Sequence, residues 1–200
     1  MLTATERPID RRIVRSRSAI EQALMELLVE GRLYDALTVS EVAGRAGLTR
    51  KTFYARFGSI DAVVLNMASE LFESVLLTVP DEAYELPLFK GRLTHAILAE
   101  LNKNLTLLEF LTTLCPGYLF LEAGRGAVAS LLLSRFRCVN DLAPISDFDR
   151  DYLTHLLATT LLGTITAWAS RGFEDGPDQV ADFAEEMLGP ICSRIFQLAE

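Results

Sequence analysis

Residues 37–64, LTVSEVAGRAGLTRKTFYARFGSIDAVV, place three helix starts in quick succession and so dictate a cluster of short crossing helices. Thr38 with Glu41 three residues later has the spacing of a capping box, Thr49 caps the next segment, and Ser59 with Asp61 opens a third. Ala46-Gly47-Leu48 reads as a tight turn between the first two. Gly47 supplies a conformation a branched residue would resist, and Ala43, four positions earlier, lets the two helices cross closely. Two short helices joined in this way form a helix-turn-helix. A helix of about two turns has no stability of its own, so neighbouring helices must hold it.

A long amphipathic helix precedes them. Starting at Asp10, the residues Ile13, Ile20, Leu24, Leu27 and Leu28 recur at helical spacing, Gly31 marks the stop, and the arginines lie on the far face. At 100° per residue, Phe53 and Phe57 share one side of the later short helix and face a core with Val42 and Leu48. Lys51, Thr52 and Ala55 then face outward, with Tyr54 on the flank. Lys51 and Thr52, near a helix N-terminus, suit base edges in a major groove; the backbone amides, Thr49 and the Tyr54 hydroxyl suit phosphate oxygens.

Charge is divided in the same sense. The chain carries a formal net charge of −8, yet residues 1–58 hold ten Lys and Arg against seven Asp and Glu, and the remainder nine against twenty. Arg7, Arg11, Arg12, Arg15 and Arg17 crowd the start, and Arg45, Arg50, Lys51 and Arg56 crowd the helix-turn-helix. A basic head on an acidic body is suited to nucleic acid at one end alone. The first arginines are either a solubilising tail or an arm for phosphates and the minor groove.

Residues 35–67 resemble the DNA-binding domain of the TetR/AcrR family of bacterial transcriptional regulators. The resemblance is carried in register by Leu37-Thr38-Val39, Val42-Ala43, Ala46-Gly47-Leu48, Thr49, Thr52-Phe53-Tyr54, Phe57 and Val63 or Val64. It implies an all-α chain of about nine helices, with a three-helix DNA-binding domain over residues 1–58 and a helical effector-binding and dimerisation domain over 59–200. It further implies a homodimer on a palindromic double-stranded DNA operator, acting as a repressor that a small apolar effector releases. Thr38, Thr49, Arg50, Lys51, Thr52, Tyr54 and Arg56 are the DNA-binding candidates. Two positions depart from the family pattern: Ile60 stands where a lysine is common, and Lys51 where a small residue is usual. A helix-turn-helix dimer without an effector, and an activator, are the alternative readings.

Beyond Phe57 the pattern is helical throughout. Apolar residues from Val64 to Val79 form a helix that Pro80 ends, two helices meet near Asn102 to Asn104, and Pro116-Gly117 is a break. A further helix is expected over about 118–139, loosened by Gly124 and Gly126, followed by the linking loop NDLAPISD. The last two helices are expected over about 147–170 and from Pro177, with Gly189-Pro190 kinking or ending the second. On the first of them Leu153, Leu156, Leu157, Thr160, Leu161, Thr164 and Trp168 form an apolar face, with Ala158, Gly163 and Ala167 permitting close approach. This pair also resembles the C-terminal helices of TetR-family members, and Leu157, Leu161, Thr164, Trp168, Phe183 and Met187 are the dimer-interface candidates. Two recognition helices must enter major grooves about 34–36 Å apart, which makes dimerisation part of the function.

Effector-pocket candidates are Phe72, His95, Phe110, Tyr118, Thr159 and Trp168, with Phe89 among the further aromatics. Glu122 and Arg125 read as a surface pair or, alternatively, as an anionic-effector contact. The most apolar run, 156–169, is shorter than the roughly 18 residues a membrane span needs. Cys115, Cys138 and Cys192 have no metal-binding or disulfide spacing, so no metal or cofactor is expected and a reducing cytoplasm fits. With two distant histidines, no nucleophile elbow and no phosphate loop, no catalytic constellation is expected.

Overall fold

The computed structural model describes residues 11–85, 93–132, 134–135 and 146–196, and among them there are nine α-helices and no strand. The chain divides into two compact units, Met1–Val64 and Leu65–Glu200.

The first unit holds α1 (Arg11–Val29), a single 3-10 turn (Tyr34–Ala36), α2 (Val39–Arg45), α3 (Arg50–Tyr54) and the first turn of α4 (Ile60–Thr78). Ile20, Leu24, Leu27 and Leu28 of α1 meet Val42, Ala43, Phe53, Phe57, Val63 and Val64 in its core. Ile13, expected on this apolar face, lies at its exposed end, and Leu48 is only half-buried. Both tight turns need positive φ. Gly31 at φ +91° lets the Arg32 amide donate to the Leu27 carbonyl at 3.0 Å, and Gly47 at +68° lets the Leu48 amide reach the Ala43 carbonyl at 2.8 Å.

In the second unit the rest of α4 leads to a 3-10 turn (Asp81–Tyr84), then α5 (Leu93–Asn102) and α6 (Leu105–Glu109), which runs into a π turn (Phe110–Leu114). α7 (Gly117–Ala127) likewise runs into a π turn (Val128–Leu132), and α8 (Asp147–Ser170) and α9 (Pro177–Phe196) follow. α5 packs on α9, while α7 and both π turns pack on α8. Arg135 ties the end of α4 to the turn after it, donating to the Leu76 carbonyl at 2.7 Å and to Asp81 at 2.8 Å with its guanidinium over the Tyr84 ring.

Three expectations change here. Gly124 does not loosen α7: a Cβ there would meet both methyls and Cγ of Leu162, itself buried, so the missing side chain is what lets α7 and α8 approach. The helix expected towards 139 changes type along its length: after Ala127 it continues as the π turn Val128–Leu132, and residues 134–135 are again helical, while residues 133 and 136–145, including most of the expected loop, lie outside the described residues. α9 continues through Gly189-Pro190 to Phe196. Substituting Gly124→Ala is therefore expected to destabilise the chain by about 1–2 kcal/mol despite alanine's better helix propensity. In a Leu162→Ala background the same substitution should cost less, a coupling that a double-mutant cycle in urea would read.

The apolar face expected on α8 is divided between the interior of the chain and its surface. Thr154, Leu157, Ala158, Leu162, Ile165, Trp168 and Ala169 point inward, whereas Leu156, Gly163 and Ala167 are exposed. A helix apolar around much of its circumference has no unique inner face; the close approach at Gly124 selects the one carrying Leu162. After α8 the chain turns at Gly172 (φ +66°) and Phe173 (φ +57°), with the Phe173 amide donating to the Trp168 carbonyl at 3.1 Å. Cys115 is buried in apolar surroundings that push its thiol up to about 12, so it stays protonated; the side chains of Cys138 and Cys192 lie outside the described residues.

Candidate nucleic-acid interface

α2 begins with the capping box its sequence specifies. The Thr38 hydroxyl accepts the Glu41 amide at 3.2 Å, and the Glu41 carboxylate accepts both the Thr38 amide at 2.9 Å and the Thr38 hydroxyl at 2.8 Å. Arg32 donates to the other carboxylate oxygen at 2.6 Å, and these bonds, those from Thr38 foremost, hold the Glu41 carboxyl below its usual range. Thr38 thus spends its hydroxyl proton and its amide within the cap, so it has no free donor for a phosphate and acts as the start of the helix.

Arg45 is likewise turned away from an open surface. Its guanidinium grips Glu30 with two bonds of 2.8 Å and approaches Glu26 at 3.5 Å, which clamps α2 against α1 and lowers the Glu30 pKa. The clamp fixes the helix before the turn rather than presenting another cation.

α3 is only five residues long and is anchored from inside. Phe53 is completely buried and meets Phe57 at a ring separation of 6.4 Å. Thr49 accepts the Thr52 amide at 3.1 Å, and the two hydroxyls share a 3.0 Å hydrogen bond. Arg50 and Lys51 are exposed, Thr52 is half-buried, and Tyr54 is 50% exposed with its ring edge-on to Phe53. Arg56 is half-buried, and its Nε donates to Ser16 Oγ at 2.7 Å, tying the guanidinium to α1. Arg17 lies over the Phe57 ring at 5.1 Å.

The outward face of α3 therefore consists of Arg50, Lys51 and Tyr54, with the Thr49–Thr52 pair at its N-terminal end. Beside it α4 opens with Ser59 accepting the Ala62 amide at 3.1 Å, and the Tyr34 hydroxyl donates to Asp61 at 2.7 Å. Ile60 is half-buried. Sequence reasoning missed Ser16, Glu30, Arg32 and Tyr34 as the residues that hold this arrangement. Each is a polar residue whose partner lies 9 to 40 positions away, and nothing local marks such a pair.

The pocket candidates differ in burial. Phe72 and Phe110 are buried, Phe72 packing on Phe120 at 5.1 Å, but Tyr118 and Thr159 are exposed. His95 sits between Asp182 at 3.2 Å and Glu185 at 3.1 Å, where it links α5 to α9. Phe89 lies outside the described residues. Trp168 instead lines an open groove of about 380 Å³ with Thr164, Arg171, Asp175, Gln179 and Phe183. Among the interface candidates, Leu157 and Trp168 are interior residues of the chain, Leu161 and Thr164 are half-buried, and Phe183 and Met187 are exposed. Arg125 pairs with Glu122 at 2.6 and 2.7 Å on the surface. Among the described residues no His, Cys, Asp and Glu group could hold a metal, and no helix is long and apolar enough to cross a membrane.

Residues 21–67 match the family model for bacterial regulatory proteins of the tetR family. An uncharacterised HTH-type transcriptional regulator of Bacillus subtilis, YxbF, is 28% identical over 108 residues, which cover 53% of this chain and 28% of that protein's length. In fold the chain is similar to a TetR transcriptional regulator from Streptococcus agalactiae, at 22% identity and TM-score 0.61, covering 90% of this chain and 96% of the other. It is also similar to the TetR family repressor AlkX from a Dietzia species, at 22% identity and TM-score 0.51, covering 90% and 97%. The register of Thr38 to Phe57 thus lies within the residues that match the tetR-family model, in a chain whose helical fold is similar to those of solved TetR regulators.

Proposed function

We propose that the chain is a cytoplasmic transcriptional repressor that binds a roughly palindromic DNA operator as a homodimer and leaves it when a small, largely apolar effector binds. In this reading residues 1–58 contact DNA, and residues 59–200 dimerise and hold the effector. The observation that carries it is α3, a five-residue helix pinned by the buried Phe53 and presenting Arg50, Lys51 and Tyr54 outward. Exposed cations beside a tyrosine on the second helix of a helix-turn-helix suit the phosphates and base edges of a major groove. The exposed Phe183 and Met187 on α9 support pairing with a second copy.

If an effector favours a spacing of the two DNA heads that misfits the operator, DNA must weaken effector binding by the same factor. The test is to bind the purified protein to genomic DNA fragments, sequence those recovered and titrate the best against salt. One palindromic site, with affinity falling steeply as salt rises, supports the reading; weak binding blind to sequence defeats it. On the recovered site Lys51→Ala is expected to weaken binding about tenfold or more and to relax base preference at one position, since a lysine contact to guanine contributes about 1–3 kcal/mol. An equal loss on every sequence would reassign Lys51 to phosphate.

A further inference from the structure

Ser16 lies on the buried side of α1, and its hydroxyl is engaged twice. It donates its one proton to the Ile13 carbonyl at 2.9 Å, so what it offers Arg56 is a lone pair, to which Arg56 Nε donates at 2.7 Å across 40 positions of the chain. Arg56 Nη1 donates to the Ala55 carbonyl at 3.4 Å. A guanidinium is a rigid plane, so holding it at these two nitrogens sets the direction of the whole fork. The backbone beneath is fixed as well. The amides of Arg56 and Phe57 donate to the Phe53 carbonyl at 2.9 and 2.8 Å, which keeps the chain turning as a helix past the end of α3.

The partner's chemistry matters here. Arg45 and Arg32 meet the carboxylates of Glu30 and Glu41, which orient those guanidiniums and offset their charge. A hydroxyl orients a guanidinium and leaves its charge in place. Of the five N–H donors of an arginine, the bonds to Ser16 and Ala55 occupy two. In helical phase Arg56 follows Thr52 by four residues, so it stands at the rim of the outward face that carries Lys51 and Thr52. Beside Ser16, Arg17 lies over the Phe57 ring at 5.1 Å, so residues 16–17 of α1 and 56–57 after α3 meet as one edge with two cations on it. Phosphates line a DNA groove on both sides and carry the charge that such an edge matches.

We propose that Ser16 is a positioning residue for DNA binding: it holds the Arg56 guanidinium at the rim of α3, where the remaining N–H groups grip a backbone phosphate beside the groove that α3 enters. This rests on the reading of the chain as a DNA-binding regulator. A side chain already ordered in the free protein binds without the entropy cost of ordering it, so a hydroxyl that never touches DNA adds to affinity. The contact reads no base, and Ser16 and Arg56 therefore strengthen binding to every sequence alike.

The test is a double-mutant cycle in the full chain: wild type, Ser16→Ala, Arg56→Ala and the pair. Each is titrated over a range of salt against the best duplex from the genomic selection and a scrambled duplex of the same length, and each is unfolded in urea. R56A should weaken binding to both duplexes and flatten the salt dependence by about 0.9 per phosphate lost, hence about 1.8 for a dimer that contributes two. S16A keeps the cation, so it should keep the wild-type salt slope while weakening both duplexes about tenfold, the order expected when each head must first order an arginine. In the R56A background S16A should change nothing. Alanine suits a helix, so the S16A unfolding midpoint should not fall. The proposal is overturned if S16A costs the same with and without Arg56, if R56A leaves the salt slope unchanged, or if S16A loses affinity only in step with a lower unfolding midpoint. A preferred duplex bound equally by wild type and S16A removes the role of Ser16 and leaves the regulator reading standing. A wild type that prefers neither duplex, with the Ser16–Arg56 coupling intact on both, removes the operator and leaves the phosphate contact.

Discussion

Replacing Phe53 with alanine is expected to destabilise the N-terminal unit by about 3–5 kcal/mol and to abolish DNA binding. Phe53 is 0% exposed and is the side chain by which the five-residue α3 is held against the core of Val42, Ala43 and Phe57. Such a helix has no intrinsic stability, so loss of its anchor removes the whole presenting surface. Chemical denaturation of the full chain should show the transition of this unit moving to lower urea while that of the helical body stays in place. Lys51→Ala is the control: its side chain is exposed, so DNA affinity should fall with no change in the unfolding midpoint. A Phe53→Ala protein that unfolds like the wild type would mean that α3 is held by something other than its buried ring.

A comparable loss, about 3–5 kcal/mol, is expected for Trp168→Ala in the second unit. The indole is 2% exposed, its Nε1 donates to the Asp175 carbonyl at 2.8 Å, and its ring meets Phe173 edge-on at 5.0 Å. These contacts hold the turn between α8 and α9, where Phe173 adopts a left-handed φ of +57° that side chains resist. Trp168→Phe would keep much of the packing and lose the hydrogen bond, so its cost should be about 1–2 kcal/mol. Calorimetry on the two variants separates the contributions. If Trp168→Ala instead leaves the melting temperature unchanged and alters only self-association, the ring belongs to a surface between copies and not to the interior.

The helix-turn-helix was legible from residues 37–64 because every signal in it is local. A capping box spans three residues, the Gly47 turn and Ala43 are neighbours in the chain, and the helical phase of Phe53 and Phe57 against Lys51 follows from 100° per residue. What was not legible is how the cations are used. Arg45 and Arg56 look no different in sequence from Arg50 and Lys51, yet the first two are drawn back to Glu30 and Ser16. Thr38 carries the same lesson, since its hydroxyl accepts the Glu41 amide as a cap and also donates its proton to the Glu41 carboxylate.

In the helical body the order and approximate bounds of the helices follow from proline, glycine and apolar spacing, because helix formation and termination are decided within a few residues. Which side of α8 faces inward does not follow from that spacing. Leu153, Leu156 and Leu157 are equivalent by composition, and the choice falls to the face bearing Leu162 because Gly124, some forty positions earlier in the chain, clears the space it occupies. The unpartnered Thr154 and the π turns packed on α8 belong to the same class of fact. Periodicity states that a helix has an apolar face; only the meeting of two helices distant in sequence decides which residues are sealed inside it and which polar atom is left there without a partner.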